Sequence, residues 1–392
     1  MPLLCLPLPS LVDFNVTLVN PRLFQDILES FPESSPNIRT LFLLVGQSDT
    51  IFSKLISGCI CRWRNLEVVV CPEIVLDVNA LVHLSHLPVL TRLTSSLDVT
   101  LPSSDSLLVF ANLQEFTLHA RSLQPISRSL SQIRLPAITD FTVLVRQYSR
   151  QDLISFLSNV PTSNIGHTVK KLQLVQLDPS AGNIHRQEVL PLDPDDLRPC
   201  MAFENLRHVN LNIKCYVDLT DNQVLALASA WPHLEHLLIN EDWGWRSQGG
   251  ITPGGLVQLL RMCRSLNQVA LRFDTQGYSH VPPSQAPENL GLTLSPDLLV
   301  DVVDSAIEPD SVMPLAMFFF STATCSGPEF SLHAWNGTPM IYFQNMVEYM
   351  HRWYLVREKM NNALNPSSHS EPSDLDRAFL QALEEWPFNN FV

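Results

Sequence analysis

Along the middle of the chain, apolar residues recur in a short fixed order: apolar, two polar, apolar, one polar, apolar. Phe110-Ala-Asn-Leu-Gln-Glu-Phe-Thr-Leu118 and Phe203-Glu-Asn-Leu-Arg-His-Val-Asn-Leu211 follow it, as do Trp231-Pro-His-Leu-Glu-His-Leu-Leu-Ile239 and Cys263-Arg-Ser-Leu-Asn-Gln-Val-Ala-Leu271. A search with this template finds nine copies, whose first anchors are Ile38, Leu66, Leu90, Leu113, Ile138, Val169, Leu206, Leu234 and Leu266. Of the 27 anchor positions only Ser95 is not apolar, and of the 27 intervening positions only Phe42, Val68, Val70, Leu238 and Ala270 are apolar. A chain that is 45% apolar would place about 12 apolar residues in each set, so register alone does not explain the contrast. Alternation of this kind describes a short strand with one buried and one wet face.

Between the strands lie helix signals. Thr220-Asp221 opens an apolar stripe of Val224, Leu225, Leu227 and Ala228, and Thr252-Pro253 opens Leu256, Leu259, Leu260 and Cys263. Asn20-Pro21 precedes Leu23, Phe24, Ile27 and Leu28, and Ser149-Arg-Gln-Asp152 has the form of a capping box. Successive anchors are 28, 24, 23, 25, 31, 37, 28 and 32 residues apart. That period, with one strand and one helix in each unit, is close to the roughly 20–29 residues of a leucine-rich repeat, with longer outliers. The expected fold class is α/β, a right-handed leucine-rich-repeat solenoid or horseshoe with parallel strands on the concave face and helices on the convex face. An ordinary doubly wound α/β domain would need longer strands at wider spacing.

The expected organisation is an N-terminal capping segment over 1–34 and a repeat array over 35–275. Degenerate repeats and a C-terminal capping helix follow over 276–364, then a flexible tail with a short acidic helix over 365–392. Past Asp274, Gln276 to Asn289 reads as a loop, Leu299 to Val303 and Phe330 to Trp335 as irregular strands, and Met313 to Phe320 as a helix. Tyr342 to Leu364 carries a helical stripe of Met346, Met350, Trp353, Val356 and Met360.

Charge and cysteine usage narrow the class. With 25 basic and 39 acidic residues the formal net charge is −14, and no basic tract offers a footprint for nucleic acid or an anionic membrane, so neither is expected as a partner. The apolar start, Met1 to Pro9, lacks a basic region and is broken by prolines, and Met313 to Cys325 is too short to cross a bilayer. The eight cysteines are dispersed and read as reduced thiols, giving an expected location in the cytoplasm, the nucleus or both.

No nucleophile elbow, P-loop, zinc-protease helix or dinucleotide fingerprint is present. His83-x-x-His86, His233-x-x-His236 and the trio Cys59, Cys61 and Cys71 have possible ligand spacing, but their positions at a helix end, beside a strand and in an anchor column favour structural roles. Asp193, Asp195 and Asp196 read as a solvated turn. The expectation is a non-enzyme without cofactor or metal. An enzyme built on His208 or His236 with Asp140 or Glu115 is the weakest reading of these residues.

A solenoid works through its concave face, so the wet columns supply the candidates. Two residues after each first anchor stand Thr40, Val68, Arg92, Glu115, Asp140, Lys171, His208, His236 and Gln268. Four after stand Phe42, Val70, Thr94, Thr117, Thr142, Gln173, Asn210, Leu238 and Ala270. Nine strands at about 4.8 Å make a wall on the order of 40 Å long, suited to an interface of roughly 1,200–2,000 Å². The expected partner-binding residues are Arg92, Glu115, Asp140, Lys171, His208, His236 and Gln268, with Trp243, Trp245 and Arg246 from the loop that begins at Asn240. Tryptophan and arginine dominate interface energetics, although one of the two indoles is expected to pack beneath the solenoid edge.

The repeat motif, the Cys263-Arg-Ser-Leu266 variant and the acidic balance resemble leucine-rich-repeat proteins of the F-box class, in particular their large, divergent fungal set. So do Trp243-Gly-Trp245-Arg246 with Gly250-Ile-Thr-Pro-Gly-Gly255, and the helix containing Trp353; the resemblance spans roughly residues 20–360. It implies a substrate receptor of an SCF-type ubiquitin ligase, whose repeats hold a protein substrate while an F-box docks on a Skp-type adaptor and cullin. The Leu-Pro-x-Glu opening of an F-box does not occur before Ile38, so adaptor and cullin are expected only if that module is encoded upstream. The alternative is a free-standing scaffold or inhibitor with no link to ubiquitin. Arginine outnumbers lysine 20 to 5, which would suit a ligase receptor avoiding its own modification, but a biased coding composition accounts for the same ratio and is the favoured explanation.

Overall fold

A computed structural model describes residues 10–18, 25–46, 50–98, 107–160, 167–177, 190–247, 249–276, 278, 295, 297–326, 330–334 and 346–364. The expected cap at Asn20-Pro21, most of the loop from Gln276 and the tail beyond Leu364 lie outside these residues.

Every anchor side chain found by the template is buried, Ser95 included. The apolar rows close one beneath another because the strands pair in parallel and in register: Leu41 faces Val69, Leu93 faces Phe116, Phe141 faces Leu172 and Val209 faces Leu237. Twelve strands form one all-parallel sheet whose order follows the chain. They are Asp13–Leu18, Thr40–Val45, Val68–Val75, Arg92–Ser96, Glu115–Ser122, Asp140–Gln147, Lys171–Gln176, His208–Asn212, His236–Ile239, Gln268–Ala270, Leu299–Asp301 and Ser331–His333. Nine belong to the template. Leu299–Asp301 and Ser331–His333 are the expected irregular strands, and Asp13–Leu18 extends the sheet into the segment expected only to cap it. Pro72, inside its strand, has no N–H for the ladder, and the register shifts there between Cys71 and Val75.

Helices Gln25–Ser34, Thr50–Ile60, Val78–Ser85, Leu123–Leu130, Arg150–Val160, Asp221–Ala230 and Pro253–Met262 return the chain along the convex side, with a 3₁₀ stretch at Pro194–Ala202 in the longest repeat. The fold is therefore a right-handed α/β leucine-rich-repeat solenoid, with parallel strands on the concave face. Three of the caps read from the sequence are built as expected. Asp152 Oδ2 accepts from the Ser149 backbone N–H at 3.3 Å, Gln223 Oε1 accepts from that of Thr220 at 2.8 Å, and Thr252 Oγ1 accepts from that of Gly255 at 3.0 Å. Each such cap contributes on the order of 1 kcal/mol.

In five of the repeats, a residue ahead of the first anchor bonds to the repeat before it. Trp63 Nε1 donates to the Ser35 carbonyl at 2.9 Å, Trp231 Nε1 to that of Cys200 at 3.1 Å, and the Cys263 thiol to that of Trp231 at 3.6 Å. One residue before the anchor, Asn112 and Asn205 donate to the Pro88 and His167 carbonyls, both at 2.7 Å. These tryptophans, Cys263 and the two asparagines thus satisfy carbonyls that the sheet cannot reach. A phenylalanine column, Phe110, Phe116, Phe141 and Phe156, runs through the middle of the core with ring centroids 6.1, 6.0 and 6.2 Å apart. At the far end, helix Val312–Ser326 is covered by helix Met346–Leu364, whose Trp353 is buried and donates to the Ser305 carbonyl at 2.9 Å.

Candidate functional site

The wet strand columns form two straight rows across the concave face. In the first, Thr40, Val68, Arg92, Glu115, Asp140, Lys171, His208, His236 and Gln268 are consecutive cross-strand neighbours. In the second, Phe42, Val70, Thr94, Thr117, Thr142, Gln173, Asn210 and Leu238 follow in the same way. The seven residues expected to bind a partner from the sheet therefore stand side by side, and none of them is fully buried. The second row stops short of its expected end, because Ala270 is buried.

Chemistry changes along the wall. Its N-terminal end is apolar, with Phe42, Val68 and Val70 half-buried and Leu44 exposed. Beyond it, Arg92 Nε lies 2.6 Å from Glu115 Oε2, and that contact raises the arginine pKa above its ordinary value. The pair is exposed and contributes no more than about 1 kcal/mol. Asp140 accepts from the Thr139 hydroxyl at 2.7 Å, and Thr142 donates to Gln173 Oε1 at 3.1 Å.

His208 and His236 then face each other on neighbouring strands, with ring centroids 4.3 Å apart. His236 Nδ1 lies 3.0 Å from Gln268 Oε1, the geometry of an N–H donor to an amide oxygen. His208 Nε2 lies 3.3 Å from Glu235 Oε2, and Arg207 Nη1 lies 2.7 Å from Glu235 Oε1. Partial burial lowers the His208 pKa, and neighbouring His236 and Lys171 lower it further while Glu235 and Asp140 act in the opposite sense. Glu235 is absent from the sequence-derived candidates; the column adjoining the first wet row, one residue after the anchor, would have found it.

The other spacing-based metal candidates are not brought together. His83 Nε2 meets the Trp63 carbonyl at 2.8 Å and His86 Nδ1 that of Val82 at 2.6 Å. Cys59 donates to the Leu28 carbonyl at 3.1 Å, and Cys71 is buried in the core, with its thiol pKa pushed up to about 12 by burial. The acidic trio beside Pro194 is more than a solvated turn. Asp193 and Asp196 reciprocally cap the 3₁₀ stretch, and both meet Arg150 on the preceding helix.

The Trp243–Arg246 loop departs most from expectation. Both indoles are buried, at 7% and 0% exposure, so neither stands out from the surface as a partner anchor. The cause is Asp304, about sixty residues further along the chain, whose carboxylate accepts the backbone N–H groups of Trp245 at 2.9 Å and Arg246 at 2.8 Å. Trp245 Nε1 donates to the Ile239 carbonyl at 2.7 Å, and Arg246 turns its Nε back to the Trp243 carbonyl at 3.2 Å. Gly244 has φ +72°, and a Cβ there would sit 2.8 Å from Asp304 Oδ2, so this close approach requires glycine.

A leucine-rich-repeat solenoid with a chemically varied concave wall is the class that fold and site define. No protein-family profile matches the sequence, and no curated protein does so either. Among solved structures, the chain is similar to the crystal structure of a TLR13–ssRNA13 complex, with 10% identity and a TM-score of 0.32. The similarity covers 81% of this chain and 55% of that one. Among the described residues, no helix is long and apolar enough to cross a membrane.

Proposed function

We propose that this protein recognises a protein partner on its concave wall, and that it acts by holding that partner rather than by transforming it. The observation that carries the reading is the unbroken lateral row from Arg92 to Gln268, in which seven neighbouring strands each present a polar side chain. Its chemistry is mixed in sign, which favours specificity and orientation, and the apolar end around Phe42, Val68 and Val70 supplies area to desolvate.

The test compares two charge reversals in affinity captures from the source cells, quantified by mass spectrometry. Lys171→Glu on the wall is expected to lose specific partners that Arg261→Glu, on the convex helix Pro253–Met262, retains. Equal capture by both variants would remove the concave wall from the reading.

Within this reading, the resemblance carried by Cys263-Arg-Ser-Leu266 and the Trp243–Gly255 stretch favours a substrate receptor of an SCF-type ubiquitin ligase. A receptor raises the effective concentration of a substrate lysine beside the conjugating enzyme. Purification of the protein from its source should then bring down a Skp-type adaptor. Recovery of wall-dependent partners without the adaptor would favour the free-standing scaffold.

A further inference from the structure

We propose that His208, Glu235 and His236 form a binding site for one divalent transition-metal ion of the zinc class on the concave wall. Each offers one ligand atom, and these atoms all lie within 4.8 Å of one another. Two imidazoles and a carboxylate are a donor set that zinc accepts, at about 2.0–2.2 Å from each atom. Bringing the three atoms onto one ion requires a closure on the order of 1 Å, within reach of side-chain rotation by half-buried groups.

The backbone already fixes the arrangement. His208 and His236 are direct partners in the parallel ladder, and Glu235 immediately precedes the strand that His236 opens, so two adjoining strands of one sheet position all three. Outer contacts of His236 and Glu235 leave one ligand atom of each for the cluster. Gln268 Oε1 occupies the Nδ1 side of His236 and leaves Nε2 for an ion. Arg207 holds Glu235 Oε1, so Oε2 is the oxygen that meets His208 Nε2 at 3.3 Å. Hydrogen bonds of this type orient metal ligands and fix histidine tautomers. Lys171 adjoins His208 in the row and opposes a cation, while Asp140 beyond it acts in the opposite direction.

Three protein ligands leave a coordination position open, unlike the closed four-ligand set of a purely structural zinc site. Water fills that position in the isolated protein, and a carboxylate or imidazole from a docked molecule can replace it. The site does not rest on the wall's recognising a protein, since metal affinity is measured on the isolated chain.

The experiment uses the full chain without a histidine tag, stripped with chelator and dialysed. Zn²⁺ is titrated calorimetrically, and Co²⁺ is followed by visible absorption. The expected result is one ion per chain, with the visible bands of four-coordinate cobalt and no thiolate charge-transfer band. His208→Asn and His236→Gln should each weaken Zn²⁺ binding at least tenfold while leaving the metal-free circular dichroism spectrum and Tm unchanged. Gln268→Ala should weaken it about tenfold through loss of ligand orientation. Absence of saturable binding, a thiolate band, or equal affinity in the His208→Asn/His236→Gln double variant would each overturn the site. If either single variant fails to fold, Glu235→Gln with the same cobalt spectrum as the native chain would overturn it as well.

Discussion

The strands of the concave wall and the corner at Asn240 to Arg246 bury their residues by different rules. In the strands burial alternates, and each buried side chain is covered by the same position in the next repeat, as Leu237 is by Val209 and Val269. In the corner burial is continuous across Trp243, Gly244 and Trp245, and it is organised around polar atoms. Asn240, at φ 53° and 1% exposed, accepts from the Ile213 backbone N–H at 3.0 Å and donates to the Cys215 carbonyl at 3.2 Å. Asp304 ties Trp245 and Arg246 to Arg272, whose Nη1 lies 3.3 Å from its Oδ2. The wall is a repeated apolar solution, whereas the corner is a single polar one that depends on residues far apart in sequence.

The largest effect should follow a charge in the repeated core. Leu237→Asp is expected to abolish soluble folded protein, since truncating a buried leucine alone costs roughly 2–5 kcal/mol and an unpaired charge adds to that. Expression and gel filtration would check it, and a folded monomer would place Leu237 off the core. In the corner, Asp304→Asn should cost about 3–5 kcal/mol, because Arg272 keeps a buried charge without its counterion. Urea unfolding followed by tryptophan fluorescence would measure that loss. A smaller penalty, about 2 kcal/mol, is expected for Trp231→Phe, which leaves the Cys200 carbonyl without its donor.

A pH effect should be smaller still. Burial lowers the His119 pKa below 6.5, with Glu73 opposing and Arg146 reinforcing that shift. The folded state then binds its proton less readily than the unfolded one. Its contribution is present above pH 6.5 and is lost as the pH falls towards the lowered folded value. His119→Gln should flatten that part of the stability profile. The smallest change belongs to the wet wall itself: Glu115→Ala and Lys171→Ala should each shift stability by less than about 0.5 kcal/mol. A large shift in Tm would mean that these side chains do not line a solvated face.

How much could be read in advance follows from the same contrast. Period-two alternation is local, so nine strands, their facing and the lateral row from Arg92 to Gln268 were all accessible from sequence. The caps at Ser149, Thr220 and Thr252 were accessible for the same reason, each being complete within four residues. Asp13–Leu18 escaped the template because it pairs on one side only, and Leu18 is its single fully buried residue. Packing of one indole was expected, but the burial of both Trp243 and Trp245 was not legible, because the Asp304 carboxylate that holds this loop lies far along the chain and no local pattern links these positions. The histidine pair was visible as two members of one column. Glu235 was not singled out, because its part depends on Arg207 and His208 in the preceding repeat.

The strictly sequential order of the sheet also bears on how such a molecule changes over generations. Each strand contacts its chain neighbours, so duplication or loss of one whole unit would leave every remaining apolar row closed. The face would be rewritten in a single event, since all later side chains move by one strand width, about 4.8 Å, relative to those before. Length and specificity can therefore change in discrete steps while the core stays the same. The Asn240–Asp304 corner resists such exchange, because removing the unit between them separates a carboxylate from the backbone it holds.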